Sequence, residues 1–373
     1  MISALMNSPR KGTGRPSVLL DMRPLQGASG ARGVGAYARG LLRGLIENGF
    51  DRNLTLLLDA AFDAPALPLG DYKVAGCRRR SHGQLAAYED AVALNTDILR
   101  IAPDVYHAID LRLPGRSPRS LVVTLHDLIP WAWRGPRMRG ERFRYWIGRR
   151  LLRRADSVIA VSQATADDAA RLRSVNPQRI RVIPEAADPV FGPRHGAAER
   201  VRERWHVEAG YLLFVGALDA RKDPSALLRA WNVARRSRPD LPLVIAGAPG
   251  AQAPATMHGA VRVGRVADED RADLYSAAGC LVFPSRYEGF GLPCLEAMAC
   301  GCPVTAFRNS SLPEVVGDAG VLVADGDAEA LGIAAADLLA SPDRWRRAGL
   351  QRAKKFSWGK AARDTISVYE SLM

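Results

Sequence analysis

The stretch that decides the fold reads Leu281-Val-Phe-Pro-Ser-Arg-Tyr-Glu-Gly-Phe-Gly-Leu-Pro-Cys-Leu-Glu-Ala-Met-Ala-Cys-Gly-Cys-Pro303. A short apolar run opens it, as in a buried parallel strand. A loop follows, and then a helix that Pro293 can begin, because its missing N–H costs nothing in a first helical turn. Gly301 suits the exit from that helix. Gly289 and Gly291 let the main chain approach a ligand closely. The amides around Phe290, Gly291 and Leu292 stand at a helix N-terminus, where unpaired N–H groups attract anions.

Seven residues separate Glu288 from Glu296. The spacing predicts Glu288 on the loop and Glu296 in the first helical turn. The two carboxylates then present acceptors at two depths of one cleft, and a sugar-nucleotide has hydroxyls at two such places, the hexose and the ribose. A plainer reading is one solvated loop acid plus one acid favoured by the positive end of the helix dipole. Spacing alone leaves both readings open.

Working outward, the same strand-to-helix rhythm fills the chain in two series. The first begins at Ser17–Asp21 and passes a glycine-rich loop, Gly27-Ala-Ser-Gly-Ala-Arg-Gly-Val-Gly35, then an amphipathic stretch from Tyr37 to Ile46. Leu54–Leu58, Val105–Ala108, Leu121–Leu125, Val158–Val161 and Ile180–Ile183 read as further strands. The second series begins at Tyr211–Ala217 and continues through Leu243–Ala246, Val261–Val263, Leu281–Phe283, Val304–Ala306 and Val321–Val323, with helices over Pro224–Ser237 and Asp268–Ala278. Such alternation predicts α/β domains with parallel sheets covered on both faces. The Pro-, Ala- and charge-rich run Pro184–Arg204 reads as the linker. Open α/β sheets bind ligands beyond the carboxyl ends of their strands, so two facing domains imply a cleft.

The chain has 373 residues, enough for two domains that need no staples. Its five cysteines are Cys77, Cys280, Cys294, Cys300 and Cys302, without paired C-x-x-C units, so they read as small core residues and imply a reducing compartment. No membrane-spanning run and no signal sequence is evident, which predicts a cytoplasmic protein whose first 15 residues are a loose tail. The net charge is +13, and only six basic residues are lysines, leaving 46 arginines of 52. This balance favours phosphates, nucleic acid or anionic lipid as partners.

Glu288-Gly-Phe-Gly-Leu-Pro-x-Leu-Glu-Ala-Met-Ala-x-Gly-x-Pro-Val304 resembles the signature of the retaining family 4 (group 1) glycosyltransferases. The resemblance extends over nearly the whole chain. It includes the glycine loop before Tyr37, Thr124-Leu-His-Asp-Leu-Ile-Pro130, Ala155–Ser162, Phe214–Asp223, Leu312–Gly320 and the terminal Phe356-Ser-Trp358. It implies the GT-B fold, two Rossmann-like domains facing a deep cleft. Residues 16–190 would form the acceptor-side domain and 191–355 the nucleotide-sugar domain. Residues 356–373 would form a helix crossing back to the first domain.

The resemblance implies roles position by position. Glu288 would bind the donor hexose and Glu296 the ribose, while Gly289, Phe290, Gly291 and Leu292 would touch hexose and diphosphate. Arg221 and Lys222 would face the diphosphate near Gly216. Two cations at a strand's end can neutralise a leaving phosphate without a metal, although Arg-Lys can also be a solvated turn. The family commonly carries Arg or a hydroxyl residue where this chain has Ala217, which puts one phosphate contact in doubt and leaves Arg221 as its stand-in. Gly33 and Gly35 would approach the diphosphate from the first domain. The base would lie near Arg265 and Val266. His126, after strand Leu121–Leu125, would sit by the anomeric centre in a positioning and electrostatic role. No metal and no cofactor is implied, and the reaction would be a front-face substitution with retention. His126–Pro130 and Phe214–Asp223 resemble bacterial polysaccharide mannosyltransferases, which makes GDP-mannose the first donor and UDP-hexoses the second. The acceptor would be a saccharide or a lipid-linked saccharide.

Trp131–Arg154 carries nine arginines and one acid, with Trp131, Trp133, Phe143, Tyr145 and Trp146 interleaved. It reads either as an interfacial segment for the anionic inner face of the cell membrane or as an amphipathic helix with solvated arginines. Arg78-Arg-Arg80 could extend the same face. Three rivals remain: another GT-B enzyme such as a nucleotide-sugar epimerase, a binding-only relative, and a basic nucleic-acid-binding protein. No nucleic-acid module is recognisable and the charge is spread along the chain, so nucleic acid is not expected as a partner.

Overall fold

The computed structural model describes residues 14–27, 30, 33–77, 86–116, 118–136, 138–248 and 259–373. The run Arg78-Arg-Arg80, Arg137, most of the N-terminal tail and four positions of the glycine loop lie outside the described residues.

The first sheet is wholly parallel and seven-stranded, in the order β3-β2-β1-β4-β5-β6-β7. Its strands are β1 (Val18–Asp21), β2 (Leu54–Asp59), β3 (Lys73–Cys77), β4 (Val105–Ala108), β5 (Leu121–Leu125), β6 (Ser157–Ala160) and β7 (Ile180–Val182). The second is parallel and six-stranded, in the order β10-β9-β8-β11-β12-β13. It comprises β8 (Leu212–Val215), β9 (Leu243–Ala246), β10 (Ala260–Gly264), β11 (Cys280–Phe283), β12 (Val304–Phe307) and β13 (Val321–Val323). Strand order reverses between β1 and β4 and again between β8 and β11, so each sheet has a switch point where a crevice opens at the carboxyl ends.

The central strands are apolar runs because helices cover both faces: every residue of β1, β4, β5, β6, β8, β9, β11 and β12 is buried. Strand β3 is absent from the sequence reading. It lies at the sheet edge, Lys73, Val74 and Gly76 are exposed and only Cys77 is buried, so it has no apolar run to announce it. The run taken as a linker contains a helix, Ala197–Trp205, and Ala186 and Phe191 within it join the core. All five cysteines are free and buried. Burial pushes the Cys300 thiol up to about 12, the behaviour of a small core residue.

The final helix, Trp358–Glu370, crosses back onto the first domain and packs along Gly33–Glu47. Gly40 makes this possible: a Cβ there would lie 2.0 Å from the Trp358 ring. The crossing is fixed by buried polar bonds. The Tyr369 hydroxyl lies 2.6 Å from His107 Nδ1, His107 Nε2 lies 2.8 Å from Thr124 Oγ1, and Thr124 Oγ1 lies 2.9 Å from the Tyr37 hydroxyl. Burial holds His107 down to about 3, so it is a neutral link in this chain.

Candidate active site

The carboxyl ends of the two sheets meet at the loop after β11. Gly289 is pressed against the first domain, where a Cβ would fall 2.0 Å from the His126 carbonyl oxygen; only glycine permits this approach. Its own carbonyl accepts from Ser162 Oγ at 2.6 Å and Thr165 Oγ1 at 3.2 Å. From the second domain, Ser310 Oγ accepts the Glu288 amide at 2.9 Å, and Ser311 Oγ donates to the Glu288 and Phe290 carbonyls. The loop is therefore clamped from both sides.

The helix that follows spans Leu292–Ala299, with Gly291 at its N-cap in a left-handed conformation, φ 106°. Pro293 occupies its first turn. Glu296 does not: it is the fifth helical residue and falls in the second turn, because the helix begins at Leu292. Among the described residues no acceptor bonds the amides of Phe290, Gly291 and Leu292, so they are open donors at a helix start. Phe290 is buried edge-on against Phe356 of the C-terminal crossing segment.

Glu288 is the centre of a buried charge cluster. Its Oε1 accepts from Lys222 Nζ at 2.6 Å and Arg221 Nη1 at 2.7 Å, and also from Ser285 Oγ. Burial opposes its charge, but Arg221 and Lys222 prevail and hold its pKa at about 2. The same burial draws the Lys222 ammonium below the ordinary lysine value, against the pull of Glu288. Lys222 lies 4.2 Å over the Phe283 ring, and its stem lines Gly216, at the end of β8. Asp219 caps the turn by accepting from the amides of Arg221 and Lys222 at 3.0 and 3.1 Å. The sequence reading separates Glu288 from this cation pair; the structure joins all three. Arg221, the stand-in for the contact missing at Ala217, is committed to Glu288 and to the Tyr287 carbonyl.

Glu296 sits deeper. Its Oε1 meets Arg271 Nη2 at 3.2 Å and its Oε2 accepts from the Tyr275 hydroxyl at 3.0 Å. Burial raises its pKa against both partners. Arg271 and Tyr275 escaped the sequence reading, although their spacing of four on the helix Asp268–Ala277 places them on one face. Arg265 and Val266 follow β10 at the same carboxyl edge; Arg265 is exposed and Val266 half-buried.

From the first domain come Gly33, whose added Cβ would stand 3.7 Å from Leu292, and Gly35, which packs on Gly30 rather than across the cleft. His126 is edge-to-face with Tyr37, and both its ring nitrogens are engaged, with Glu185 and with the Ile109 carbonyl. Asp127 lies half-buried beside it, within the fields of Arg221 and Glu288 across the cleft, and desolvation raises its pKa. Glu185 carries no motif and no periodicity, so nothing in the sequence marks it.

The basic segment divides its aromatic groups between the short helix Ile129–Ala132 and the longer helix Met138–Leu152. Trp131 packs inward under Arg149, whose guanidinium lies 4.9 Å from its ring, while Phe143 and Trp146 are 67% and 53% exposed. Trp131, Arg134, Met138, Arg139, Arg142 and Leu172 line a cavity of about 730 Å³. Among the described residues no helix is long and apolar enough to cross a membrane.

Known structures share this architecture. Sucrose-phosphate synthase from Thermosynechococcus elongatus superposes with a TM-score of 0.77 at 23% identity, over 96% of this chain and 99% of that one. WaaG, a glycosyltransferase involved in lipopolysaccharide biosynthesis, gives 0.71 at 16% identity, over 94% and 99%. The fold is GT-B. Residues 31–191 match the description Glycosyltransferase Family 4, and residues 209–341 match Glycosyl transferases group 1. The O-antigen chain mannosyltransferase B of Escherichia coli is 31% identical over 91% of this chain and 96% of its own length. The serotype-specific mannosyltransferase WbdA of Escherichia coli is 25% identical over 95% of this chain, which spans 48% of that protein. The chain belongs to the family 4, group 1 glycosyltransferases.

Proposed function

We propose that the protein transfers a mannosyl residue, with retention, from GDP-mannose to a saccharide or lipid-linked saccharide in bacterial polysaccharide or glycolipid synthesis. The observation that carries this reading is the Glu288–Lys222–Arg221 cluster beside the open amides of Phe290, Gly291 and Leu292. The similarity to two mannosyltransferases supports the sugar, and UDP-hexoses are the second choice of donor.

The cluster suits a donor with a negative leaving group. A diphosphate entering the cleft competes with Glu288 for Arg221 and Lys222, and the free helix amides add neutral donors. The freed Glu288 carboxylate then has capacity to accept from hexose hydroxyls. In this reading the deeper Glu296, held by Arg271 and Tyr275, accepts from the ribose, and Arg265 and Val266 meet the base. Two cations and a helix start stabilise the departing diphosphate, so the proposed reaction needs no metal. The acceptor hydroxyl attacks the anomeric carbon on the face the diphosphate leaves, and a diphosphate oxygen takes its proton. The exposed Phe143 and Trp146, with the arginine-lined cavity beside them, support docking on an anionic membrane face.

A thermal-shift screen with GDP, UDP, ADP and dTDP and their hexose conjugates, with and without magnesium, tests the reading. A ligand at 100 times its Kd stabilises by about 2.7 kcal/mol. A metal-independent shift from GDP-mannose is the expected result. A shift from another nucleotide alone, or one that requires magnesium, overturns the donor or the metal-free chemistry respectively.

A further inference from the structure

His126 stands where β5 ends, and its side chain is 15% exposed. Its Nε2 lies 3.0 Å from the Ile109 carbonyl oxygen. A carbonyl only accepts, so Nε2 carries a hydrogen and donates it. Its Nδ1 lies 3.1 Å from Glu185 Oε1. With Nε2 protonated, a neutral ring would turn the bare Nδ1 lone pair onto a carboxylate, acceptor against acceptor. A proton on Nδ1 makes both contacts hydrogen bonds, and the second is charge-assisted.

We propose that Glu185 is a positioning residue that holds His126 as a fixed imidazolium, so that the cleft carries a permanent positive charge at the end of β5 rather than a general base. In this arrangement His126 has no free lone pair with which to accept a proton. Its hydrogens point at protein oxygens, and what it offers the cleft is charge. The role of that charge in sugar transfer rests on the reading given above; the ionisation itself does not.

The surroundings agree. Burial disfavours the cation, but the Glu185 bond and the negative charges of Glu185, Asp127 and Asp110 outweigh it and raise the His126 pKa above the ordinary histidine value. The other groups facing His126 do not reverse this. His107 from β4 is held neutral by burial, Tyr37 meets the ring at 4.8 Å between centroids as a neutral phenol, and Thr165 bonds the main-chain carbonyl of His126, not its ring. Arg221 and Glu288 act from across the cleft, on Asp127. Glu185 itself lies on the connection between the domains, and Asp188, three residues on, is paired with Arg43 at 3.0 Å. The stretch of main chain that carries Glu185 is thus tied to the first domain by a contact that does not involve His126.

The test is a proton NMR titration of the free enzyme. The His126 Cε1–H resonance is assigned by its loss in His126→Gln, among the six histidines. In the wild type it should titrate above the ordinary histidine value of about 6.5, and in Glu185→Gln the midpoint should fall by about one unit or more. Titration at or below about 6.5 in the wild type overturns the proposal, as does an unchanged midpoint in the variant. Because no substrate is present, this result is separate from any failure of the donor assignment. In a transfer assay, Glu185→Gln should lose kcat at neutral and high pH and recover it as pH falls, while Glu185→Asp should restore much of the wild-type profile. An equal loss at every pH would show a merely structural Glu185 and overturn the proposal. If Glu185→Gln does not fold, the wild-type titration and Glu185→Asp decide.

Discussion

Lys222 Nζ donates to Glu288 Oε1 across 2.6 Å, and the two residues come from loops that follow neighbouring strands on either side of the second sheet's switch point. Both are buried, so each lowers the cost of the other's charge, and removing one leaves the other less compensated. Lys222→Ala should therefore do two things at once: remove a cation that meets the leaving diphosphate and leave Glu288 to Arg221 alone. Turnover in a transfer assay should fall by about 10²–10³-fold, the cost of one lost stabilising donor. Wild-type turnover in Lys222→Ala would remove this pair from the chemistry.

The same pair sets a pH limit on stability. The Glu288 pKa is depressed, to about 2, so its contribution is full above its unfolded value and is lost as pH falls through about 2. A shift of this size corresponds to roughly 3 kcal/mol. Lys222→Met removes one of the groups that depress it, so the acid limb of a melting-temperature profile should move to higher pH. An acid limb that stays in place in Lys222→Met would show that the ion pair does not govern acid stability.

Much of this site was legible because its signals are local. The apolar β11, the glycines and Pro293 lie within one continuous stretch, and each has its physical meaning at short range. Glu288 and Glu296 needed only that stretch. Their partners did not follow, since Arg271 and Tyr275 reach Glu296 from another helix, and Glu185 reaches His126 from the far end of the first domain. Contacts of this kind are set by tertiary packing, which periodicity does not encode. The one-turn error at Glu296 has a local cause, because the helix begins at Leu292, before the proline that appeared to begin it. Strand β3 failed for the opposite reason: an edge strand is half solvated and carries no apolar run.

Glu296 offers a test that separates ribose from hexose. Arg271 and Tyr275 hold its carboxylate in one orientation. Tyr275→Phe removes one hydrogen bond and little volume, so it should raise the KM for a ribonucleotide donor several-fold. A 2′-deoxyribose donor, lacking one of the hydroxyls Glu296 is proposed to bind, should feel the change much less. Equal effects on both donors would place Glu296 away from the ribose.

The membrane reading has an independent test. Arg134 and Arg139 line the cavity and, among the described residues, no carboxylate pairs with either. Arg134→Ala/Arg139→Ala should weaken binding to phosphatidylglycerol vesicles several-fold at low salt, and the difference should shrink as salt screens it. Cosedimentation reads the result, with neutral phosphatidylcholine vesicles as the control. Wild-type protein that ignores anionic vesicles would leave Phe143 and Trp146 as ordinary exposed side chains.

The last prediction concerns what holds the cleft closed. The Glu314 carboxylate, from the second domain, accepts the backbone amides of Gln163 and Ala164 at 2.7 Å each. These amides begin the helix Gln163–Arg171 of the first domain, whose positive end favours the charge. The same helix start supplies Ser162 and Thr165 to the Gly289 carbonyl, so one carboxylate anchors the element that fixes the loop bearing Glu288. Glu314→Gln keeps the shape but loses the charge and one acceptor oxygen. It should loosen closure while leaving each domain intact, giving a larger radius of gyration in solution scattering and a several-fold drop in kcat at an unchanged melting temperature. Saturating donor should recover part of the compact state, because a ligand bound between the domains stabilises whichever arrangement it binds better. If Glu314→Gln keeps both the wild-type scattering curve and the wild-type kcat, closure is carried by Gly289 and its serine and threonine partners alone.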